Sequence, residues 1–420
     1  MSRDEPRALH PDTIAVGHGY DPASALGAAK PPLYLTSTFT YRSAEQAKQT
    51  HRIFFDGARP GEAIEPAHIY MRLGHPNLDM VESRLAALDG AEASAGFCSG
   101  MAAISTVLLA HLKPGDVVLH SLPIYGGADN LLDKVMGGLG VRAFHFTDGL
   151  DAAQIRKAAD EAMAAGPLRV IWLESPANPT GAVVDIGLAA EVAGEAAQEQ
   201  GFRPLVAVDN TFLGPLLQSP LQCGADLCMT SLTKYCGGHS DLLAGGVSGR
   251  AALIGPLRAL RTFLGNTMDP HTAWLLLRSL ETLHLRTARA CDSALQVARF
   301  LQSHPKVAGV TFIGLAEPGS RERALMQRQT RGSGSTFSFR LHGGEAEAFR
   351  LLDGLKLLRL AVSLGGSETL ICHPASTTHY PIARERLAEA GVTEATLRLS
   401  VGLEHPDDLI ADLGQALEQV

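Results

Sequence analysis

The chain has 420 residues, enough for two or three domains with buried cores at roughly 100 to 200 residues each. Hydrophobic residues make up 45% and charged residues 19%, too apolar for a disordered chain, and no run approaches the ~18 uninterrupted apolar residues of a membrane span. The formal charge of −8, with no basic stripe to follow a phosphate backbone, argues against a nucleic-acid partner, while the 43 glycines exceed the usual ~7% and point to turns closely approached by something else.

Met1 to Pro6 carries acids where a secretory leader needs an apolar core. Cys98, Cys223, Cys228, Cys236, Cys291 and Cys372 form no CxxC pair and no metal-ligand spacing, so reduced thiols, a cytoplasmic location and no metal are expected. Residues 1–74 lack strong periodicity and read as an extended arm. From His75 onward Leu78, Val81, Leu85 and Leu88 share one helical face, behind a candidate Asn77 cap and ahead of Gly90.

Short apolar runs follow at Asp116 to His120, Arg169 to Leu173, Leu205 to Val208 and Leu227 to Thr230. Helix-length segments such as Ala152 to Ala165 and Ile186 to Glu199 separate them. This alternation predicts an α/β fold with a mostly parallel sheet sandwiched by helices over residues 75–270. Residues 271–420 read as a smaller α+β domain, with helices Ala273 to Leu285 and Ala294 to Leu301, and strands Val310 to Ile313 and Ser335 to Leu341. A final helix carries Asp407 and Asp408 in its first turn and an apolar face at Leu409, Ile410, Leu413 and Leu417.

Ligands of parallel α/β sheets bind at the carboxyl ends of strands, so the residues after each apolar run carry the information. One run ends in Asp209-Asn210-Thr211, and another leads into Ser231-Leu232-Thr233-Lys234. A carboxylate at one strand end and a lysine after another suit pyridoxal phosphate: the lysine forms an imine with its aldehyde, and the acid keeps the pyridine nitrogen protonated so that the ring is an electron sink. Ser231 and Thr233 offer hydroxyls to the phosphate. At Cys98-Ser99-Gly100-Met101, a turn opens the helix Ala103 to Leu112, where the N–H groups of Gly100 and Met101 suit a dianion. Singly, each has a plainer reading: a solvated lysine, a turn or cap, an ordinary strand-to-helix connection.

With these motifs the chain resembles the Cys/Met-metabolism (transsulfuration) family of fold-type I pyridoxal phosphate enzymes, over about His10 to Leu417. This family contains cystathionine γ-synthases, cystathionine γ- and β-lyases, methionine γ-lyases and O-acylhomoserine sulfhydrylases. The resemblance implies that Lys234 is the imine lysine and proton carrier, that Asp209 meets the pyridine nitrogen, and that Thr211 lines one ring face. It makes Tyr125 of Ile124-Tyr125-Gly126-Gly127 the tyrosine stacked on the other face, and it places Asn178 of Glu174-Ser175-Pro176-Ala177-Asn178-Pro179-Thr180 beside the cofactor hydroxyl. Tyr70 and Arg72 are then the pair that reaches a neighbouring subunit's phosphate, implying a homo-oligomer, a dimer of dimers with shared sites. Arg398, with Ser363 of Ser363-Leu364-Gly365-Gly366, is the expected clamp for the α-carboxylate of a small amino-acid substrate, where a planar guanidinium outperforms an ammonium.

The sequence departs from the family pattern at four places. Gly127 stands where methionine γ-lyases have cysteine, Val362 stands where cystathionine enzymes have glutamate, and His75-Pro76-Asn77 replaces Asn-Pro-Thr. His51 to Glu65 reads as an insertion in the loop leading to Tyr70. Val362 favours an uncharged distal group, hence α,γ-elimination from a sulfur amino acid. γ-Replacement on an O-acylated homoserine stays open. From another class, Gly96-Phe97-Cys98-Ser99-Gly100 has the Gly-x-nucleophile-x-Gly spacing of a thiol hydrolase.

Overall fold

A computed structural model describes residues 9–57 and 67–420. Its larger sheet has seven strands: β1 (Ala93–Phe97), β2 (Val117–Ser121), β3 (Arg142–Phe146), β4 (Leu168–Glu174), β5 (Leu205–Asp209), β6 (Leu227–Thr230) and β7 (Gly245–Gly249), in the order β1-β7-β6-β5-β4-β2-β3. Only β7 runs antiparallel to its neighbours. Alternate strand residues enter opposite cores. Val118, Val170, Trp172 and Ala207 pack with the helices Gly100–His111 and Ala251–Leu264, while Val117, Leu119, Ile171, Val206 and Val208 pack with Ala152–Ala165 and Ile186–Gln200. Burial on both faces is why these strands read as unbroken apolar runs.

The second sheet contains β8 (Val307–Thr311), β9 (Thr336–Leu341), β10 (Arg359–Leu360), β11 (Leu370–Cys372) and β12 (Thr396–Ser400), ordered β10-β11-β12-β9-β8. Its core draws Val297 and Leu301 from the helix Leu283–Ser303, Leu351 from Glu345–Gly354, and Leu409 and Leu413 from Pro406–Leu417. No helix of the described residues is long and apolar enough to cross a membrane.

Several local expectations are corrected. The cap of the helix Pro76–Asp89 is His75, whose Nδ1 accepts from the Leu78 N–H at 3.2 Å. Asn77 lies inside the helix and ties in the amino-terminal segment, accepting from Tyr34 N–H at 2.9 Å and donating to Pro32 O at 2.8 Å. That segment is not simply extended, because it contains the helices Pro11–Gly17 and Ala44–Asp56. The expected insertion begins within the second of these, at His51 to Asp56, and its residues 58–65 lie outside the described ones.

Strand β8 ends at Thr311, and a single 3₁₀ turn, Ile313–Leu315, replaces its expected extension. The expected helix Ala273 to Leu285 is two helices, Pro270–Leu280 and Leu283–Ser303. At the break Arg286 donates to Ser279 O at 2.8 Å and also to Tyr235 O at 2.7 Å, so the bend braces the segment that carries Lys234.

Candidate active site

The carboxyl ends of β4, β5 and β6 and the turn after β1 open on one cavity of about 500 Å³, lined by Gly100, Met101, Tyr125, Asn178, Asp209, Thr211, Ser231, Thr233, Lys234, Ser363 and Arg398. The structure therefore gathers eleven of the thirteen predicted site residues. The remaining pair lies apart: Tyr70 bridges Thr38, and Arg72 donates to Thr262 O at 2.6 Å.

After β1, Ser99 caps the helix Gly100–His111 by accepting from Ala102 N–H at 3.1 Å, which leaves the first two N–H groups, those of Gly100 and Met101, without intrahelical partners. A Cβ on Gly100 would lie 2.8 Å from Ser231 Oγ, so only glycine lets the two turns meet. The Thr233 hydroxyl is engaged elsewhere, donating to Ala244 O at 3.1 Å and accepting from Ala244 N–H at 2.9 Å. Thr233 therefore pins the turn after β6, while Ser231 and the helix terminus line the cavity and could hold an anion.

Asp209 and Glu174 stand opposite each other on β5 and β4. Burial raises the Asp209 pKa to about 6 against an ordinary 3.8, even though Thr211 donates its N–H at 2.9 Å. Burial, then the Asp209 charge, pushes Glu174 well above its usual range. Glu174 is a site residue that the sequence reading did not single out. Its two oxygens accept from Tyr125 N–H and Asn178 N–H, each at 2.6 Å, so it fixes both turns beside the cavity.

Lys234 donates to Ser363 Oγ at 2.7 Å, and burial, then the Arg398 charge, lowers its pKa to about 8. Ser363 holds a left-handed φ of 85°. Behind it Gly365, also left-handed, sits so close that a Cβ would be 2.7 Å from Tyr235 N. Arg398, in the middle of β12, donates through Nη1 to Asn178 Oδ1 at 2.9 Å and through Nη2 to Ser363 O at 2.7 Å; its buried Nε has no partner.

Thr377 and Thr378 complete the wall from a loop with no sequence signal for the site. The Thr378 carbonyl lies where a Gly126 Cβ would come within 2.6 Å. Cys98 is exposed and does not line the cavity, and no described histidine is hydrogen-bonded to its thiol, so the hydrolase arrangement is not assembled. Among the described residues no His/Cys/Asp/Glu cluster could hold a metal ion.

The residues present fit pyridoxal 5′-phosphate. They supply a glycine-floored helix terminus for a phosphate, a buried carboxylate for a pyridinium, a lysine of lowered pKa for an aldehyde, and an orphaned guanidinium N–H for a carboxylate.

The comparisons agree with that chemistry. The chain is 40% identical to the L-methionine gamma-lyase of Pseudomonas putida over 97% of this chain and 96% of that one, and 33% identical to the O-acetyl-L-homoserine sulfhydrylase of Leptospira meyeri over 99% and 98%. A cystathionine gamma synthase from Xanthomonas oryzae pv. oryzae, solved with aminoacrylate and cysteine, superposes with a TM-score of 0.86 at 35% identity, covering 98% of this chain and 99% of that one. Residues 12–418 match the family described as Cys/Met metabolism PLP-dependent enzyme, and the chain belongs to that family of fold-type I enzymes.

Proposed function

We propose that the protein catalyses α,γ-elimination from a sulfur amino acid with an uncharged γ-substituent, releasing a thiol, ammonia and a 2-oxo acid. The observation that carries this reading is the cavity mouth. Val362 and Leu243, both exposed, line it, and the cavity's charged side chains are Glu174, Asp209, Lys234 and Arg398, all on its inner wall. A distal ammonium or carboxylate would therefore lack a partner. The relatives named for methionine γ-lyase activity point the same way.

In this reading Arg398 binds the α-carboxylate through its free Nε, with Asn178 and Ser363 holding the other guanidinium nitrogens in place. Lys234, whose lowered pKa leaves about a tenth of it neutral at pH 7, takes the Cα proton and then a Cβ proton, while Ser363 keeps its Nζ aimed between donations. Tyr125 stands at the cavity edge, its backbone anchored by Glu174, and serves the departing group. Gly100, Met101 and Ser231, on the turn that Thr233 pins, would hold the phosphate; Thr211 and Tyr125 would line the two ring faces, Asn178 would meet the cofactor hydroxyl, and Asp209 would hold the pyridine nitrogen proton. Bound pyridoxal phosphate supplies the electron-accepting ring.

We assign residues 1–74 to an arm, 75–270 to the cofactor domain and 271–420 to the small domain, and we assign Tyr70 and Arg72 to the neighbouring copy's phosphate in a cytoplasmic dimer of dimers. The exposed Phe54, Phe55 and Phe263, which line a second surface cavity, support such an interface. Arg72→Ala and Lys234→Ala proteins, each impaired alone, then regain activity when mixed as hetero-oligomers; hetero-oligomers without recovery would refute sharing.

The reaction is tested by supplying methionine, cystathionine, O-acetylhomoserine and O-succinylhomoserine in parallel, with and without sulfide or cysteine. Elimination predicts 2-oxobutyrate from methionine without added thiol. A thiol-dependent product with no oxo acid would instead establish replacement, the reaction favoured by the similarity to an O-acetyl-L-homoserine sulfhydrylase.

A further inference from the structure

A smaller cavity of about 300 Å³ adjoins the catalytic one, and Val362 and Thr377 line both. Its remaining surface is formed mainly by Phe349, Leu352, Leu360, Ala361, Cys372 and His373. We propose that this annex is a substrate subsite that takes the apolar tail of an extended, uncharged γ-substituent. The proposal deepens the elimination reading and rests on it for the identity of the substrate's amino-acid end.

The annex is built rather than incidental. Its floor is fixed by parallel pairing of Arg359–Leu360 with Leu370–Ile371 and by the Ala361 N–H donating to Ile371 O at 3.0 Å. One wall is the His373 ring, buried and held by both nitrogens, Nδ1 to Ser376 Oγ at 2.8 Å and Nε2 to Glu394 O at 2.7 Å. Phe349 stands edge-on against that ring, with centroids 5.4 Å apart at 86°. The imidazole has no nitrogen left for a ligand and presents ring carbon.

Asp353 is the one carboxylate on the lining, and it projects from the solvent-exposed side of the helix Glu345–Gly354. Phe349, Leu360 and Val362 each line the annex and remain exposed, so its apolar surface is open to an incoming tail. The volume is that of about ten liquid water molecules at ~30 Å³ each, which is room for a short alkyl chain. Water released from such walls favours a hydrocarbon tail over a polar one.

The test is a homologous series of S-alkyl-L-homocysteines, methyl through butyl, with L-cystathionine as the charged comparator. Cofactor-loaded enzyme is assayed for 2-oxobutyrate, and binding of the same compounds to Lys234→Ala protein is measured by calorimetry. Both kcat/KM and affinity are expected to rise with each methylene, up to about fourfold per buried CH₂, and to leave cystathionine behind the butyl compound. Leu360→Asp, at an exposed edge position, and Phe349→Ala are each expected to lower the butyl-to-methyl ratio towards one. If oxo acid forms but kcat/KM and affinity are flat or fall with length, or cystathionine surpasses the butyl compound, the annex proposal is overturned and elimination stands. If affinity climbs yet no member yields oxo acid, the elimination reading falls and the annex stands.

Discussion

Replacing Asp209 with asparagine is expected to stabilise the cofactor-free protein while removing its chemistry. Asp209 is buried at the end of β5, opposite Glu174, and its pKa rises from an ordinary 3.8 to about 6, chiefly because burial disfavours the charge. A carboxyl whose folded pKa is raised binds its proton more tightly in the folded state. Its ionisation therefore costs no stability below the unfolded pKa, and the cost accumulates as pH rises through the folded value and then levels off.

At ~1.4 kcal/mol per pH unit, the interval from 3.8 to about 6 amounts to about 3 kcal/mol at pH 8 and to roughly half of that at pH 5, where only part of it has accrued. Asparagine keeps an oxygen for the Thr211 N–H and carries no charge. Urea unfolding of the two cofactor-free proteins should show the Asp209→Asn protein more stable at pH 8, with a gap that narrows towards pH 5. An Asp209→Asn protein less stable than the parent at pH 8, or a gap independent of pH, would refute the reasoning. With Asp209 paired to a pyridinium as proposed, loading should offset this cost and stabilise the parent more than the variant.

The lowered pKa of Lys234 makes attachment of pyridoxal phosphate to the cofactor-free chain rise with pH to a midpoint of about 8, and Arg398→Leu should move that midpoint upward; stopped-flow absorbance measures both. Because Ser363 sits at φ 85°, Ser363→Gly should be more stable than Ser363→Ala by about 1 kcal/mol in thermal unfolding, while both lose the hydroxyl that meets Lys234.

The parallel strands were legible because burial on both faces writes a continuous apolar run, as in Leu205–Asp209 and Leu227–Thr230. Asp209 and Lys234 were legible as cavity residues because they follow those runs directly, at the carboxyl ends where the cavity opens. Strand β7 escaped notice, since Gly-Gly-Val-Ser-Gly is mostly small residues suited to close packing: a Cβ on Gly246 would lie 2.4 Å from Leu85. Glu174 read only as the opening residue of the turn Glu174 to Thr180, and its position beside Asp209 depends on register, which no local pattern carries. Thr377 and Thr378 reach the cavity through the fold of a distant loop. The His75 cap was missed because a partner far along the chain holds its ring in place: Nε2 donates to Met268 O at 2.9 Å, which frees Nδ1 to accept from the helix.

Borohydride reduction of the cofactor-loaded protein, followed by peptide mass spectrometry, tests the central claim most directly. A pyridoxyl group on Lys234, absent from Lys234→Ala protein, is the predicted result. Labelling at another lysine, or a colourless protein that takes up no label, would contradict the assignment of the site.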